Sequence, residues 1–132
     1  MKVLIFTCSE STANDKRTGR LSLFHIFDGL LLHSFPAVLP ELVFTAWVEK
    51  ERKDEASGTL TLLITMKGEK PEELPLEYDF KDKPRTMLIA EVGGIVAQRP
   101  GRMEAELKIG DKSLSKWTMP IDTVGMNHQQ NT

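Results

Sequence analysis

The side chains best suited to chemistry are three histidines and one cysteine, and their spacing does not form a recognisable site. His25, His33 and His128 are too far apart in the chain for a compact metal site, in which two histidines lie one helical turn apart. Cys8 ends a short apolar run. A nucleophilic cysteine needs a base and a positive setting nearby, and the flanking residues supply neither. The sequence predicts no metal site, no cofactor and an inert, buried Cys8.

Other catalytic patterns are also missing from the chain. No serine lies in a Gly-x-Ser-x-Gly turn, and Gly93-Gly94 is not followed by the Lys-Ser or Lys-Thr pair of a phosphate loop. The carboxylate pairs Asp54-Glu55 and Glu72-Glu73 lie in charged turns without the spacing of a calcium loop. These absences favour a non-enzymatic protein. An active site assembled from residues distant in sequence stays open as an alternative.

Basic residues cluster around one predicted strand, over 86–97. Lys81, Lys83 and Arg85 precede the strand, and Arg99 and Arg102 follow it, so the two groups are expected at opposite ends of the domain. The whole chain carries 17 basic and 19 acidic side chains, a formal net charge of −2. Nucleic-acid-binding domains usually present a basic stripe and an excess of positive charge. The charge pattern therefore predicts no nucleic-acid partner.

Length and composition are those of one ordinary globular domain. The chain has 132 residues, of which 40% are hydrophobic and 27% charged. A single cysteine excludes an intrachain disulfide and fits a reducing compartment. The apolar run 3–6 is too short for a signal peptide or a membrane span. These features predict a cytoplasmic domain with no membrane partner.

Strand signals dominate, and they fall in eight segments separated by turn residues. Between them, 9–20 is expected to be a loop, and 28–40 an extended crossing or at most one short helical turn, because Pro36 and Pro40 exclude a long helix. This pattern predicts an all-β antiparallel sandwich over 1–122, favoured over a closed barrel, with 123–132 as a disordered polar tail. The predicted strands are 3–8, 21–27, 42–48, 59–66, 74–80, 86–97, 102–109 and 114–119.

The predicted strands are of two kinds. Segments 59–66, 74–80 and 102–109 alternate apolar and polar residues, whereas 3–8, 21–27 and 86–97 are apolar on both faces, with 42–48 intermediate. Water should wet the outer face of each strand in a two-layer sandwich. Strands with two apolar faces need a second cover, and the sequence offers almost no helix to provide one. A second copy of the chain or another protein is the remaining candidate. The predicted interaction surface comprises Phe24, Ile26, Val43 and Trp47.

Side-chain directions follow from the strand period of two. In the first segment, Val3 and Ile5 are expected on one face, opposite Leu4 and Phe6. In the segment 86–97, Ile89 and Ile95 are expected to share a face. Two tryptophans are left between exposure at a binding surface and burial in the core, namely Trp47 and Trp117.

One stretch of the chain resembles a known family. The segment 18–28, followed by Phe35-Pro36 and by 40–42, resembles a family of small bacterial proteins of unknown function. The turn 99–101 and the Gly110-Asp111 pair resemble the C-terminal hairpin of that family, and the resemblance extends over roughly residues 2–120. It implies a β-rich cytoplasmic domain. It implies no activity, ligand or catalytic residue.

Three functions remain after these observations. The first is a non-enzymatic protein-interaction module, with a second copy of the chain or an unidentified protein as its partner. The second is a small-ligand-binding sandwich with a pocket near the 28–40 crossing, because loops on a rigid scaffold commonly carry binding sites. The third is an enzyme. A flat apolar sheet face would favour the first, a deep polar pocket the second, and a cleft joining Cys8 or a histidine to carboxylates the third.

Overall fold

The computed structural model describes residues 1–124, which form an all-β protein. Its strands are β1 (Lys2–Asn14), β2 (Leu21–Ile26), β3 (Leu30–Leu32), β4 (Ala37–Val38), β5 (Leu42–Glu49), β6 (Ser57–Met66), β7 (Glu72–Asp79), β8 (Arg85–Val92), β9 (Val96–Ala97), β10 (Gly101–Ile109) and β11 (Lys112–Thr123). Within that part of the chain, no helix has the length and apolar character needed to cross a membrane. Most of the predicted tail, from residue 125 onward, lies outside the described residues.

Two sheets form the body of the protein. Sheet A has the strand order β2-β1-β5-β8, and sheet B has the order β3-β11-β10-β6-β7. All neighbouring strands are antiparallel except β3, which runs parallel to the end of β11. The short strands β4 and β9 pair separately. The predicted antiparallel sandwich is confirmed.

The core lies between the two sheets. Leu42 and Phe44 of sheet A and Leu62, Met103 and Met119 of sheet B are at most 2% exposed and belong to one buried cluster. Burying each such side chain stabilises the fold by roughly 1.5–3 kcal/mol relative to leaving it exposed. A second cluster at the other end of the sheets contains Val48, Leu60, Tyr78, Phe80 and Leu107.

Trp117 belongs to the core side of sheet B. Its ring meets that of Phe44 edge to face, with 5.6 Å between ring centroids. Because Phe44 is buried, this contact holds Trp117 against the interior, and the side chain is only partly exposed. Of the two alternatives that the sequence left for Trp117, exposure at a binding surface or burial, the structure therefore favours packing against the core.

The alternating strands of sheet B follow the predicted pattern. Met103, Ala105 and Leu107 of β10 are fully buried, whereas Glu104 and Glu106 between them reach solvent. Strand β10 is followed by a tight turn at Gly110, which has a φ of 57°, and β11 pairs back on β10. The predicted hairpin at this point is confirmed.

The predicted loop over 9–20 is wrong in its first half. Strand β1 continues to Asn14, and its second half pairs with β2 from Ser9↔Ile26 to Asn14↔Leu21. Ser9 is fully buried because strands lie on both sides of it, β2 and β5. Cross-strand pairing overrides the low strand propensity of these polar residues, so only 15–20 remain as a connection.

Two predicted turns connect different sheets. The charged segment after Glu49 does not close a hairpin, because it leads from β5 in sheet A to β6 in sheet B. The turn around Lys81 and Asp82 leads back from β7 in sheet B to β8 in sheet A. Local sequence marks where a strand ends, but the next pairing partner is chosen by tertiary packing.

The segment 28–40 is extended and forms no helical turn. It contributes β3, β4 and a cis peptide bond between Phe35 and Pro36. Leu30, Leu32 and Phe35 pack against the core from this segment. The crossing therefore covers one end of the sandwich.

Two predicted face assignments are wrong. The register of β1 shifts between Val3, which pairs with Val48, and Ile5, which pairs with Trp47. This irregularity turns Val3 toward the core and leaves Ile5 exposed, so the two residues do not share a face. The glycine pair after β8 also resets the alternation, because Ile95 is buried whereas Ile89 is exposed.

The connection between β5 and β6 binds the amino group of Met1. The ammonium donates a hydrogen bond to Glu51 Oε1 at 2.6 Å and lies 2.8 Å from Asp54 Oδ2. Burial alone would lower the pKa of this ammonium, but its contacts with the two carboxylates outweigh burial and raise it. For Asp54 burial acts in the other direction and would raise the pKa of the carboxyl group. The ammonium and the Glu51 N–H, which donates to Oδ2 at 2.8 Å, outweigh burial and bring this pKa below its usual range.

We expect Asp54→Asn to destabilise the fold in a pH-dependent way. A lowered carboxyl pKa adds stability that is present above the ordinary value near ~3.9 and is lost as pH falls through the folded value. A raised amino pKa adds stability that is present below ~8 and is lost as pH rises through the folded value. Urea unfolding near ~pH 6 should show a loss of about 1–3 kcal/mol, typical of a charged hydrogen bond.

The difference between the Asp54→Asn variant and the parent protein should shrink in both acid and alkali. Unfolding curves taken at about pH 3, 6 and 10 test this, because the ion pair is intact only in the middle condition. A difference that stays constant across the three conditions would contradict an electrostatic role for Asp54.

A second prediction concerns Gly58 of β6, which pairs with Tyr78 of β7. A Cβ at residue 58 would lie 2.8 Å from the Tyr78 hydroxyl oxygen. Tyr78 is buried and packs edge to face on Phe80 at 5.6 Å, so its ring has little room to move. Gly58→Ala should lower the free energy of unfolding by about 1–3 kcal/mol through overpacking.

Gly93→Ala is the matched control for this substitution. A Cβ at residue 93 would meet no atom within 4 Å, and the residue is exposed. The control should stay within about 1 kcal/mol of the parent protein. Equal losses in the two variants would show that contact with Tyr78 is not the cause.

Candidate functional site

The outer face of sheet A carries a set of apolar side chains, which we call the apolar face, with short uncharged residues such as Thr7, Ser9 and Thr45 between them. Five of its members are between 36% and 59% exposed: Ile5, Phe24, Ile26, Trp47 and Ile89. All four strands of sheet A contribute to this set. Its other apolar members are Val43 and Met87, which are less exposed.

Strand register places these residues side by side. Trp47 pairs with Ile5 on one side and with Met87 on the other. The next outward position of β5 is Thr45, which pairs with Thr7 and Ile89. Because Phe44 points into the core and side chains alternate along a strand, these positions all face outward.

The four residues predicted as an interaction surface lie on this face. Val43 and Trp47 are outward positions of β5, and Phe24 and Ile26 are outward positions of β2, joined to β5 through β1. Val43 differs from the others because it is only 4% exposed and forms part of the floor of the face. Sequence reasoning missed Ile5, because the irregularity in β1 that separates it from Val3 has no local signature.

The centre of the apolar face is uncharged and its two ends carry opposite charge. Lys2, Glu49 and Arg85 are paired across one end of the sheet, where Arg85 Nε donates to Glu49 Oε2 at 3.0 Å. Glu91 pairs with Val43 at the other end, beyond which Glu41 is exposed. Beside β5 and β8, one end thus has two cations against one carboxylate and the other has Glu91 and Glu41; beyond that second end, the connection from β1 to β2 adds Lys16, Arg17 and Arg20.

The outer face of sheet B has the opposite character. Glu104 and Glu106 of β10 lie there beside Lys116 of β11, whose Nζ is 3.7 Å and 4.0 Å from the two carboxylates. Such exposed ion pairs contribute little to stability but keep a sheet face hydrated. Among the described residues, the outer face of sheet A is therefore apolar, whereas that of sheet B is charged.

The nucleophile and metal candidates are not assembled into a reactive centre in the described part of the chain. Burial raises the pKa of Cys8 to about 12, with only partial opposition from a hydrogen bond to Val43, so the thiol is protonated at neutral pH. His25 Nδ1 lies 3.0 Å from Glu10 Oε2 on an exposed surface. No cluster of three or more metal-ligating side chains occurs among residues 1–124. His128 lies outside the described residues.

A separate cavity of about 200 Å³ lies between the turn after β6 and the segment leading into β10. Arg99 and Arg102 from the predicted basic cluster line it, and Lys67 joins them from the other turn. Lys83 lines a different depression, beside Lys50 and Arg52. Arg99 and Arg102 thus lie apart from Lys83, as the sequence predicted for the two groups of basic residues. Nothing in the sequence indicated that Lys67 would lie beside Arg99 and Arg102.

The pocket expected near 28–40 stays a prediction. The segment instead contributes Leu30, Leu32 and Phe35 to the packing around the core.

Comparison with known proteins adds a family and no activity. Neither a curated protein nor a solved structure matches the chain. A family model does match, and it covers residues 4–122, which include all of the strands of both sheets except the first two residues of β1 and the last residue of β11. The chain therefore belongs to DUF6941, a family of unknown function.

Proposed function

We propose that the protein is a non-enzymatic interaction module that forms a homodimer by packing the apolar face of one copy against that of another. The observation that carries the proposal is the concentration of Ile5, Phe24, Ile26, Trp47 and Ile89 on one sheet face. Contiguous exposed apolar surface is uncommon on monomers and marks association sites. Tryptophan and other aromatic residues are enriched at the centres of such interfaces.

The size of the face suits a second copy. Strands β5 and β8 are each eight residues long. Three strands, β1, β5 and β8, spaced ~4.8 Å apart and eight residues at ~3.3 Å each span about 14 by 26 Å, roughly 380 Å² in projection, and β2 adds Phe24 and Ile26 beside the second half of β1. Protruding side chains enlarge the accessible area toward the ~800 Å² per partner of a standard interface.

Charge favours a second copy over an unrelated partner and also favours one orientation. Face-to-face packing about a two-fold axis that runs across the strands places the Lys2 and Arg85 end of one copy over the Glu91 end of the other. An axis along the strands would instead place like ends together. Opposite charges at the rim of an uncharged centre favour the first arrangement.

We expect Ile89→Glu to weaken dimerisation strongly, because it places a charge on the apolar face, halfway along β8. Ile89 is 42% exposed in one chain, so the variant should fold. Native mass spectrometry and sedimentation equilibrium should show a parent dimer with a dissociation constant of about 10 µM or tighter and a variant weakened at least ~100-fold.

Leu31→Glu is the control for the Ile89 variant. Leu31 is 52% exposed but lies on β3 of sheet B, away from the apolar face. This variant should dimerise like the parent protein. A parent chain that is monomeric at about 100 µM would overturn the proposal, and so would equal weakening by the two substitutions.

The orientation is tested by exchanging charges. Glu91→Lys and Arg85→Glu should each weaken the dimer by about 3–10-fold, and together they should restore it, because this axis lays the β8 strands of the two copies over each other with Arg85 of one copy opposite Glu91 of the other. Additive weakening in the double variant would contradict the axis across the strands while leaving the apolar face as the interface.

A further inference from the structure

The cavity beside the start of β10 has a mixed lining that is independent of the apolar face. Its lining residues come from β6, β9, β10, β11 and the turns between them, and none belongs to the apolar face. Its volume of about 200 Å³ corresponds to roughly six or seven waters at ~30 Å³ each. This is room for a small ligand.

Three cations surround this space. Lys67, Arg99 and Arg102 line it, and none of them forms an ion pair with another described residue. The same wall carries one carboxylate, that of Glu69, whose Oε1 is shut away from solvent and has no hydrogen-bond partner. The charge that a ligand would meet in the cavity is therefore positive.

The guanidinium of Arg99 lies against the turn that carries Lys67. Gly68 has a φ of +82°, and a Cβ at that residue would lie 3.0 Å from Arg99 Nη2 and 3.2 Å from its Cζ. The absence of a side chain lets the guanidinium lie directly against the turn. Two segments far apart in the chain thus present cations to one cavity.

Apart from Glu69 and Gln98, the other side chains of the lining are apolar. Ala97 and Ile121 are at most 2% exposed and lie at the inner end of the lining, and Met66 and Pro100 complete its apolar part. A fully hydrated ion gains nothing from such a surface, whereas a ligand with a short hydrocarbon body does. Guanidinium groups bind planar carboxylates and phosphates through paired hydrogen bonds.

We propose that this cavity binds a small organic anion, with a carboxylate or phosphate head at Arg99, Arg102 and Lys67 and a short apolar body against Ala97 and Ile121. This proposal does not rest on dimerisation through the apolar face, because the two surfaces share no residue.

Titration followed by amide chemical shifts tests the proposal on the whole chain. Sodium benzoate and phenyl phosphate are the probes, and benzyl alcohol is the uncharged control with the same ring. Benzoate or phenyl phosphate should shift the signals of residues 66–69 and 97–102 with a dissociation constant of about 0.1–5 mM, within reach of so small a ligand. Benzyl alcohol should bind at least ~10-fold more weakly, the loss of about one charged hydrogen bond. The probe that binds more tightly identifies the preferred head group.

Arg99→Gln and Lys81→Gln form the matched pair of variants. Arg99→Gln should weaken binding at least ~5-fold, whereas Lys81→Gln, in the turn between β7 and β8, should not change it. Well-dispersed spectra of both variants show that each is folded. The proposal is overturned if neither anion shifts these signals at about 20 mM, if benzyl alcohol binds as well as benzoate, or if Arg99→Gln binds like the parent protein.

Discussion

The packing of β5 against its neighbours on every side is the constraint on which the rest of the structure depends. Its inward residues Leu42, Phe44 and Val48 are at the centre of the core, and its outward residues Val43 and Trp47 belong to the apolar face. β1 and β8 pair with it along both edges. Both faces of β5 are therefore apolar, and the same strand contributes side chains to the interior of the sandwich and to the candidate interface.

The two outer faces of the sandwich differ in polarity. Sheet B presents ion pairs such as Glu104–Lys116 and stays hydrated, whereas sheet A presents Trp47 and Ile89 with charges confined to its ends. Charged rims around an apolar centre set orientation more than affinity. The proposed dimer uses this arrangement, since antiparallel packing brings the Lys2 end of one copy to the Glu91 end of the other.

The cavity near Arg99 illustrates a different way of making a site. It lies where turns from distant parts of the chain converge at one end of sheet B, as binding sites on rigid β scaffolds commonly do. Its polar groups come from Lys67 and from the residues around Arg99, which are separated by three strands, β7, β8 and β9, and their connections. Ligand binding there and association through sheet A use separate surfaces, so each is open to change without loss of the other.

By itself, the sequence determined the all-β class, the positions of most strands, the hydrated face of β10 and the outward placement of Phe24 and Ile26, whereas it left Trp47 open. These follow from a period of two and from turn residues, which act over a few neighbours. Only the tertiary structure decided that β1 continues to Asn14, that Ile5 turns outward, and that Lys67 meets Arg99. The physical reason is that strand pairing, register shifts and loop convergence depend on contacts between residues far apart in the chain, for which local propensity carries no signal.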